Sequence, residues 1–165
     1  MMGAGKSSVG RALAERLGRP FHDSDAEVEA RTGQTVASIF AERGEAAFRV
    51  EESAVLVDAM AAATPVVIAA AGGVVLNAAN RRLLRTAELV VWLRADPAVL
   101  AGRVGSATHR PLLEDDPSQT LPRLDAVRRP LYAEVADLTI DVDRVGVDEV
   151  VECIATAVAS AEASR

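Results

Sequence analysis

The sequence predicts an α/β fold in three layers, in which helices cover both faces of a parallel sheet. Short apolar runs rich in valine alternate with segments whose apolar residues recur every three or four positions, a pattern typical of strands that alternate with helices. The chain has three phenylalanines, one tyrosine and one tryptophan, so alanine, valine and leucine must form the core. Its length of 165 residues suits a single domain, which we predict over residues 1–165.

Helices and strands are predicted in alternation along the whole chain. Val9, Leu13 and Leu17 share one face of a first helix, and Gly18 ends it because glycine readily takes the left-handed conformation that follows a helix. Further helices are predicted over residues 27–31, 36–43, 45–62, 80–85, 97–103, 119–135 and 148–159. Gly33 and Gly44 are expected to end the first two of these. Strands are predicted over residues 20–22, 65–70, 88–94 and 138–142. Residues 105–117 are polar and lack periodicity, so we predict a mobile lid there.

Composition and charge argue against several classes of function. The formal net charge of −6 disfavours nucleic acid as a main partner, because phosphate backbones select basic surfaces. No apolar run approaches the roughly 20 residues that span a bilayer, and no charged-then-apolar signal opens the chain. We therefore expect a cytoplasmic monomer with no membrane partner. Cys153 is the one cysteine and is expected to be a small buried hydrophobic residue.

A glycine-rich segment near the start of the chain has the composition of a phosphate-binding loop. Its sequence is Gly3-Ala4-Gly5-Lys6-Ser7-Ser8, and an amphipathic helix follows directly. The glycines let the backbone curl so that its N–H groups converge on phosphate oxygens, and the start of the helix adds its dipole. In such a loop Lys6 would reach the β- and γ-phosphates of a nucleotide, and the Ser7 hydroxyl would ligate Mg²⁺. The alternative is a frayed chain end without function.

Lys6 is also unusual in the composition. It is the one lysine among the 18 lysine and arginine residues of the chain. The chain thus uses arginine wherever either cation serves. A lysine retained in such a chain indicates a position that needs a compact ammonium group, because the two cations are not interchangeable at a phosphate site.

The loop lacks the first part of its usual pattern, G-x-x-x-x-G-K-[ST]. Gly5 is the second glycine of that pattern, so the first would fall one position before Met1, and the strand that normally leads into the loop is absent. Such a strand lies inside the sheet, so we expect a gap between its neighbours. We also expect the natural chain to be longer, with Met1 and Met2 inside a loop.

Five further motifs follow the loop in order. They are D-S-D at residues 23–25, F-R at 48–49, G-G at 72–73, R-P-L-L at 110–113 and R-R-P-L-Y at 128–132. With this combination the chain resembles the shikimate kinase family over residues 2–150. Many ATPases share the phosphate loop, whereas the combination is specific. The resemblance implies a three-layer P-loop kinase fold, here without its first strand, and transfer of the γ-phosphoryl group of ATP, with Mg²⁺, to the 3-hydroxyl of shikimate.

The resemblance also implies a role for each motif. Asp23 would be the carboxylate on the magnesium side, acting through water, and Asp25 would bind substrate hydroxyls next to the attacking oxygen. Two carboxylates at positions i and i+2 of a strand end point the same way, so both can face one cleft. Arg49 and Arg128 would hold the substrate carboxylate, and the backbone of Gly72 and Gly73 would close this pocket. Arg110 of the lid would contact the transferred phosphate, and Arg103 would stack on the adenine base.

Each of these residues also has a simpler interpretation. Asp25 could be the N-cap of a helix in an aspartate-rich turn, and Arg49 could be a surface arginine on an apolar helix. The Gly72-Gly73 pair could form a plain turn. Arg128 and Arg129 could be charges at a helix C-terminus. Of these two we favour Arg128 as the ligand and Arg129 as solvent-facing.

The chain departs from the family in two further places. The family's G-G-G is Ala71-Gly72-Gly73 here, which is harmless if the φ angle of Ala71 is negative. Arg144-Val145-Gly146 stands where the family often has a proline beside adenine. Two other functions remain open at this stage. One is a related kinase for another small acid such as gluconate, and the other is a non-catalytic binding protein.

Overall fold

The computed structural model describes residues 1–104 and 116–163, in which helices and strands alternate. The helices are α1 (Lys6–Leu17), α2 (Ser24–Thr32), α3 (Val36–Met60), α4 (Ala78–Leu84), α5 (Pro97–Val104), α6 (Pro117–Val135) and α7 (Val147–Ala163). The strands are β1 (Phe21–Asp23), β2 (Val67–Ala69), β3 (Val91–Arg94) and β4 (Leu138–Asp141), and a 3₁₀ turn covers Val74–Leu76. Each predicted element has its counterpart among them.

Glycines end the first two helices where the sequence predicts it. Gly18 and Gly33 follow α1 and α2 with φ angles of 62° and 68°. The region around Gly44 agrees with the prediction of two helices. Two helical segments join as one element, α3, at a kink where the Gly44 backbone is not helical, with a φ angle of 78° and a ψ angle of 169°. Because only glycine adopts this conformation readily, Gly44 sets the direction of the half of α3 that follows it.

The four strands form two parallel pairs. Phe21 of β1 lies opposite Val67 of β2, and Val91 of β3 lies opposite Leu138 of β4. Within the described ranges no strand joins β2 to β3. A cavity of about 580 Å³ lies between them and is lined mainly by apolar side chains of both strands and the surrounding helices. The prediction of parallel strands covered by helices is confirmed, and the break between the two ladders agrees with the gap expected in the sheet.

Two apolar clusters hold these layers together. The larger one includes the packing of α1 against α7 and contains buried residues of β3 such as Trp92 and Leu93. The smaller one joins α2 to both halves of α3, on either side of the Gly44 kink. Its buried members are Val28, Ile39, Phe48 and Val55. This small cluster fixes the position of the α3 half that carries Arg49.

Cys153 is exposed on α7, so the prediction of a buried cysteine is wrong. The buried stripe of α7 contains Val151 and Ile154, the residues two before and one after the cysteine. Helical periodicity places position 153 on the opposite side of the helix. Because the segment around Cys153 is largely apolar, its composition did not show that this residue lies on the exposed side of α7.

The predicted lid falls mostly on residues that the structure does not describe. Its last residue, Pro117, begins α6, and Asp116 caps this helix by accepting a hydrogen bond from the Ser118 N–H at 2.8 Å. Arg110, the lid residue assigned to the transferred phosphate, lies outside the described residues. In the described ranges, no helix combines the length and apolar character needed to cross a membrane.

Candidate active site

A cavity of about 460 Å³ opens where β1 and β2 end. The phosphate loop, the first turn of α2, the loop after β2 and the helices α3, α5 and α6 contribute to its lining. Every predicted site residue within the described ranges lines it except Ala4, whose side chain is buried in the core. Lys6 lines both this cavity and the larger one between β2 and β3, whereas Asp23, Asp25, Arg49 and Arg128 line only the smaller one.

The phosphate loop curls through two glycines in the left-handed conformation. The φ angle is 76° at Gly3 and 84° at Gly5, a region that residues with a side chain rarely adopt. Gly5 is also the N-cap of α1, and no side chain caps the first turn of this helix. The N–H groups at the start of α1 therefore lie at the cavity without a side-chain acceptor, an arrangement that suits an anion.

Lys6 is the first residue of α1. Its ammonium group donates a hydrogen bond to the Met1 carbonyl oxygen at 2.9 Å. The side chain thus bends back along the loop that precedes it. A phosphate held by the loop N–H groups would meet its positive charge there.

Ser7 and Asp23 bring two oxygen ligands together at the start of α1 and the end of β1. The Ser7 hydroxyl donates a hydrogen bond of 2.5 Å to Asp23 Oδ2. Mg²⁺ prefers oxygen ligands and usually takes one or two from the protein, with the rest from water and phosphate. No cluster of three or more acidic, histidine or cysteine side chains suited to a metal occurs in the described part of the chain. This hydroxyl–carboxylate pair therefore fits a magnesium ion that is held jointly with a nucleotide.

Asp25 lines the same cavity, but it lies on a different element from the one predicted. Asp23 ends β1, but Asp25 lies in the first turn of α2, so the two carboxylates do not share a strand. Asp23 is also the N-cap of α2, because its Oδ1 accepts a hydrogen bond from the Asp25 N–H at 3.2 Å. The alternative in which Asp25 caps this helix is therefore wrong. Asp25 is exposed and lines the cavity, which leaves its carboxylate accessible to a ligand.

Arg49 enters the cavity from the second half of α3 and packs directly on Gly73. A Cβ atom added at Gly73 would lie 1.9 Å from Arg49 Nη1, so no residue except glycine fits there while Arg49 keeps this position. Two carboxylates hold the guanidinium group. Arg49 Nη2 lies 2.7 Å from Glu45 Oε1, and Nη1 lies 2.9 Å from Glu52 Oε1. Burial would lower the pKa of Arg49, but these two acids outweigh it and raise the pKa.

Glu52 is a buried acid that the sequence reasoning missed. Only 1% of its surface is exposed. Burial raises its pKa from 4.5 to about 7, even though Arg49 acts in the opposite direction. The signal was its position three residues after Arg49, which places both side chains on one helix face. Glu52 holds Nη1 of the Arg49 guanidinium, while Glu45 accepts hydrogen bonds from Nε and Nη2.

We expect Glu52→Gln to flatten the dependence of stability on pH. Because the folded-state pKa lies above the unfolded one, native Glu52 retains a proton between about pH 4.5 and 7 that the unfolded chain has released. The free energy of unfolding should therefore fall across that window, by on the order of 3 kcal/mol from this one group. Urea unfolding of both proteins at pH 5 and pH 8 measures the difference.

The control for this prediction is Glu51→Gln, which alters the partly exposed neighbour of Glu52. It should retain the pH dependence of the unaltered protein. An equally steep fall in stability for Glu52→Gln would show that Glu52 does not titrate in this range.

Arg128 and Arg129 are neighbours on α6 with different surroundings. Arg128 is only 3% exposed and lines the cavity. Its Nη1 would lie 3.6 Å from a Cβ atom at Gly72, so its guanidinium group sits beside the glycine loop. Arg129 points elsewhere: it is partly exposed and forms an ion pair of 2.7 Å with Asp125. The chain therefore brings Arg128, and not Arg129, to the cavity beside Arg49.

The remaining predicted residues lie at the edges of the cavity. Arg103 Nη2 donates hydrogen bonds to the carbonyl oxygens of Val142 at 2.8 Å and Asp143 at 3.2 Å. These bonds place its guanidinium group beside the loop that follows β4. In the glycine loop, Ala71 does not have a positive φ angle, so its methyl group causes no backbone strain.

A search of protein families and curated proteins finds consistent matches. The family model described as "Shikimate kinase" matches residues 2–159. Shikimate kinase of Symbiobacterium thermophilum is 50% identical over 154 residues, which cover 92% of this chain and 88% of that protein. Shikimate kinase of Burkholderia pseudomallei is 44% identical over 155 residues, which cover 93% and 84%.

Solved structures agree with these relatives. Shikimate kinase from Acinetobacter baumannii in complex with shikimate superposes with a TM-score of 0.92 and is 39% identical, over 96% of this chain and 89% of that one. Shikimate kinase from Aquifex aeolicus has a TM-score of 0.82 and is 31% identical, over 99% and 94%.

Proposed function

This chain belongs to the shikimate kinase family, and we propose that it transfers the γ-phosphoryl group of ATP to the 3-hydroxyl of shikimate. The observation that carries this proposal is the composition of one cavity. An anion-binding loop with an oxygen pair suited to Mg²⁺ and two arginines beside a glycine loop line the same 460 Å³ of space. We further propose that the metal is Mg²⁺ and that the working form is a cytoplasmic monomer.

The loop end of the cavity would hold the nucleotide. The N–H groups at the start of α1 would bind phosphate oxygens, and Lys6 would neutralise charge on the phosphates. Ser7 and Asp23 would hold Mg²⁺, Ser7 directly and Asp23 through water. When bound, such an ion would supply positive charge that offsets the negative charge developing on the phosphates during transfer. Arg103 is positioned at the far edge, where it would stack on adenine, and Arg110 is proposed to contact the transferred phosphate.

The opposite end of the cavity would hold the acceptor. Arg49 and Arg128 would bind the substrate carboxylate, since guanidinium groups form strong charge-assisted hydrogen bonds with carboxylates. The backbone of Gly72 and Gly73 would close this end. Asp25 would then align the attacking hydroxyl and accept its proton late in the transfer. In phosphoryl transfer of this kind, positioning and charge neutralisation provide most of the catalysis.

A substrate panel tests the proposed function. ADP release by the purified chain with Mg-ATP should be far faster with shikimate than with gluconate, and phosphorus NMR should detect the 3-phosphate ester. Faster turnover of gluconate would favour the related small-acid kinase. No turnover of either acid, with nucleotide still bound, would favour a binding protein.

We expect Arg49→Ala and Arg128→Ala each to raise the KM for shikimate by roughly 10- to 150-fold. This range corresponds to the loss of one charge-assisted contact, worth about 1.5–3 kcal/mol. The KM for ATP should change little, because neither arginine belongs to the phosphate loop. Steady-state kinetics with each substrate varied in turn measures both constants.

Arg129→Ala is the matched control for these two variants. It removes the adjacent, partly exposed arginine of the same helix and should leave both KM values within about two-fold, as for most surface substitutions. Equal losses for shikimate and ATP in Arg49→Ala or Arg128→Ala would mean that the carboxylate site is misassigned.

A further inference from the structure

Tyr132 connects α6 to the glycine loop of the candidate site. Its side chain is buried, and its hydroxyl group donates a hydrogen bond of 2.6 Å to the Gly72 carbonyl oxygen. The ring also packs on Trp92, with 5.6 Å between the ring centroids. Arg128 lies one helical turn before Tyr132 on the same helix. One rigid element therefore carries an arginine of the site and the group that holds the Gly72 carbonyl.

The bond to Gly72 also fixes the adjacent N–H group. The peptide bond is planar, and no cis peptide occurs in the described part of the chain, so the Gly72 C=O and the Gly73 N–H point in opposite directions. With the carbonyl held toward Tyr132, the Gly73 N–H is directed away from α6. Gly73 lines the cavity and lies against the Arg49 guanidinium. The N–H group is thereby presented as a further donor next to that arginine.

We propose that Tyr132 is a positioning residue for the substrate carboxylate site, where its hydroxyl sets the plane of the Gly72–Gly73 peptide group and so the direction of the Gly73 N–H. This inference rests on the proposed function. Without the hydroxyl, two successive glycines would have wide conformational freedom, because glycine loses more entropy on ordering than any other residue. The acceptor would then meet a donor with no fixed direction.

The chemistry of the hydroxyl group suits this task. Burial raises the pKa of Tyr132 to about 12, although the nearby Arg128 acts to lower it. The group therefore stays protonated at neutral pH and remains a donor there. The hydrogen bond from Tyr132 to the glycine loop therefore does not depend on pH near neutrality, whereas the protonation of Glu52 does.

The first test is Tyr132→Phe, which removes the hydroxyl and keeps the ring. We expect the KM for shikimate to rise by roughly 3- to 20-fold, the effect of losing one neutral hydrogen bond, with the KM for ATP within two-fold. Trp92→Phe is the control, since it disturbs the same aromatic pair without touching the hydrogen bond. It should lower the melting temperature and leave the ratio of the two KM values unchanged. Equal changes in both KM values for Tyr132→Phe would overturn the proposal.

A second test couples Tyr132 to Gly72. A Cβ atom at Gly72 would lie 3.1 Å from the Tyr132 hydroxyl oxygen, and Gly72 does not have a positive φ angle. Gly72→Ala should therefore act mainly by crowding that oxygen and raise the KM for shikimate. In the Tyr132→Phe background the oxygen is gone, so the same substitution should have a clearly smaller effect. Independent, multiplicative effects of the two substitutions would contradict the proposal.

These measurements separate the inference from the function on which it depends. If the unaltered chain does not phosphorylate shikimate, the proposed function fails and the role of Tyr132 fails with it. If the unaltered chain is active but Tyr132→Phe changes neither KM, the inference alone is wrong. Should Tyr132→Phe not fold, Gly72→Ala alone decides, since an unchanged KM for shikimate in that variant would also overturn the proposal.

Discussion

Replacing Lys6 with arginine is expected to lower kcat for phosphoryl transfer by roughly two to three orders of magnitude, the typical effect of losing one group that stabilises transition-state charge. Arginine keeps the positive charge of Lys6, so the loss of activity would come from the different shape of its charged group. An ammonium group is compact and can turn its three donors toward different phosphate oxygens, whereas a guanidinium group is a wide planar fork. Lys6 begins α1 and bends back along the loop, where its compact ammonium group donates to the Met1 carbonyl.

Single-turnover and steady-state assays of Lys6→Arg measure this effect, with nucleotide binding followed separately. A matched control exchanges the same two residue types in the other direction at an exposed site of α1. Arg16→Lys alters a side chain whose partner is Glu152 on α7, and it should keep nearly full activity. If Lys6→Arg retained kcat within a few-fold of the unaltered protein, the special role of the one lysine would be refuted.

Asp25→Asn is expected to lower kcat by roughly 10²- to 10⁴-fold, the range for loss of a general base. Asparagine has the same shape and can still hydrogen-bond the attacking hydroxyl, but it cannot accept the proton. Asp25 lies in the first turn of α2 with its side chain exposed to the cavity. The KM for ATP should remain nearly unchanged, because Lys6, Ser7 and Asp23 are unaltered.

Glu29→Gln is the control for Asp25→Asn. Glu29 lies one turn further along α2, is exposed and lines the same cavity, so the substitution removes a comparable charge without removing the proposed base. It should reduce kcat by no more than a few-fold. A similar large loss in both variants would indicate that the charge of the cavity, and not proton transfer to Asp25, is what matters.

Local signals were sufficient for most of the secondary structure. Gly18 and Gly33 end their helices as predicted, because a left-handed residue after a helix depends on the backbone alone. α6 agrees with the helix predicted over residues 119–135, although Pro122 and Pro130 lie inside it. Proline normally interrupts a helix. The burial of neighbouring residues such as Leu121 supports the helix through these positions.

For the candidate site, the sequence indicated the residues that line the cavity but not the residues that support them. The short sequence motifs were sufficient to indicate residues such as Lys6, Asp25 and Arg49, because the chemistry of these residues lies in their types and spacing. The motifs did not indicate which groups support these residues. The bond from Tyr132 to Gly72 joins positions 60 residues apart, and the raised pKa of Glu52 depends on burial that only the folded chain produces.

The contact between Arg49 and Gly73 has a consequence for how this chain can change over evolutionary time. Because Arg49 Nη1 stands 1.9 Å from the place of any Cβ at position 73, a mutation of the glycine alone would displace the arginine, and a mutation of the arginine alone would remove the reason for the glycine. We therefore expect the residues at the two positions to change together, with a side chain at position 73 tolerated only where Arg49 has moved or been replaced.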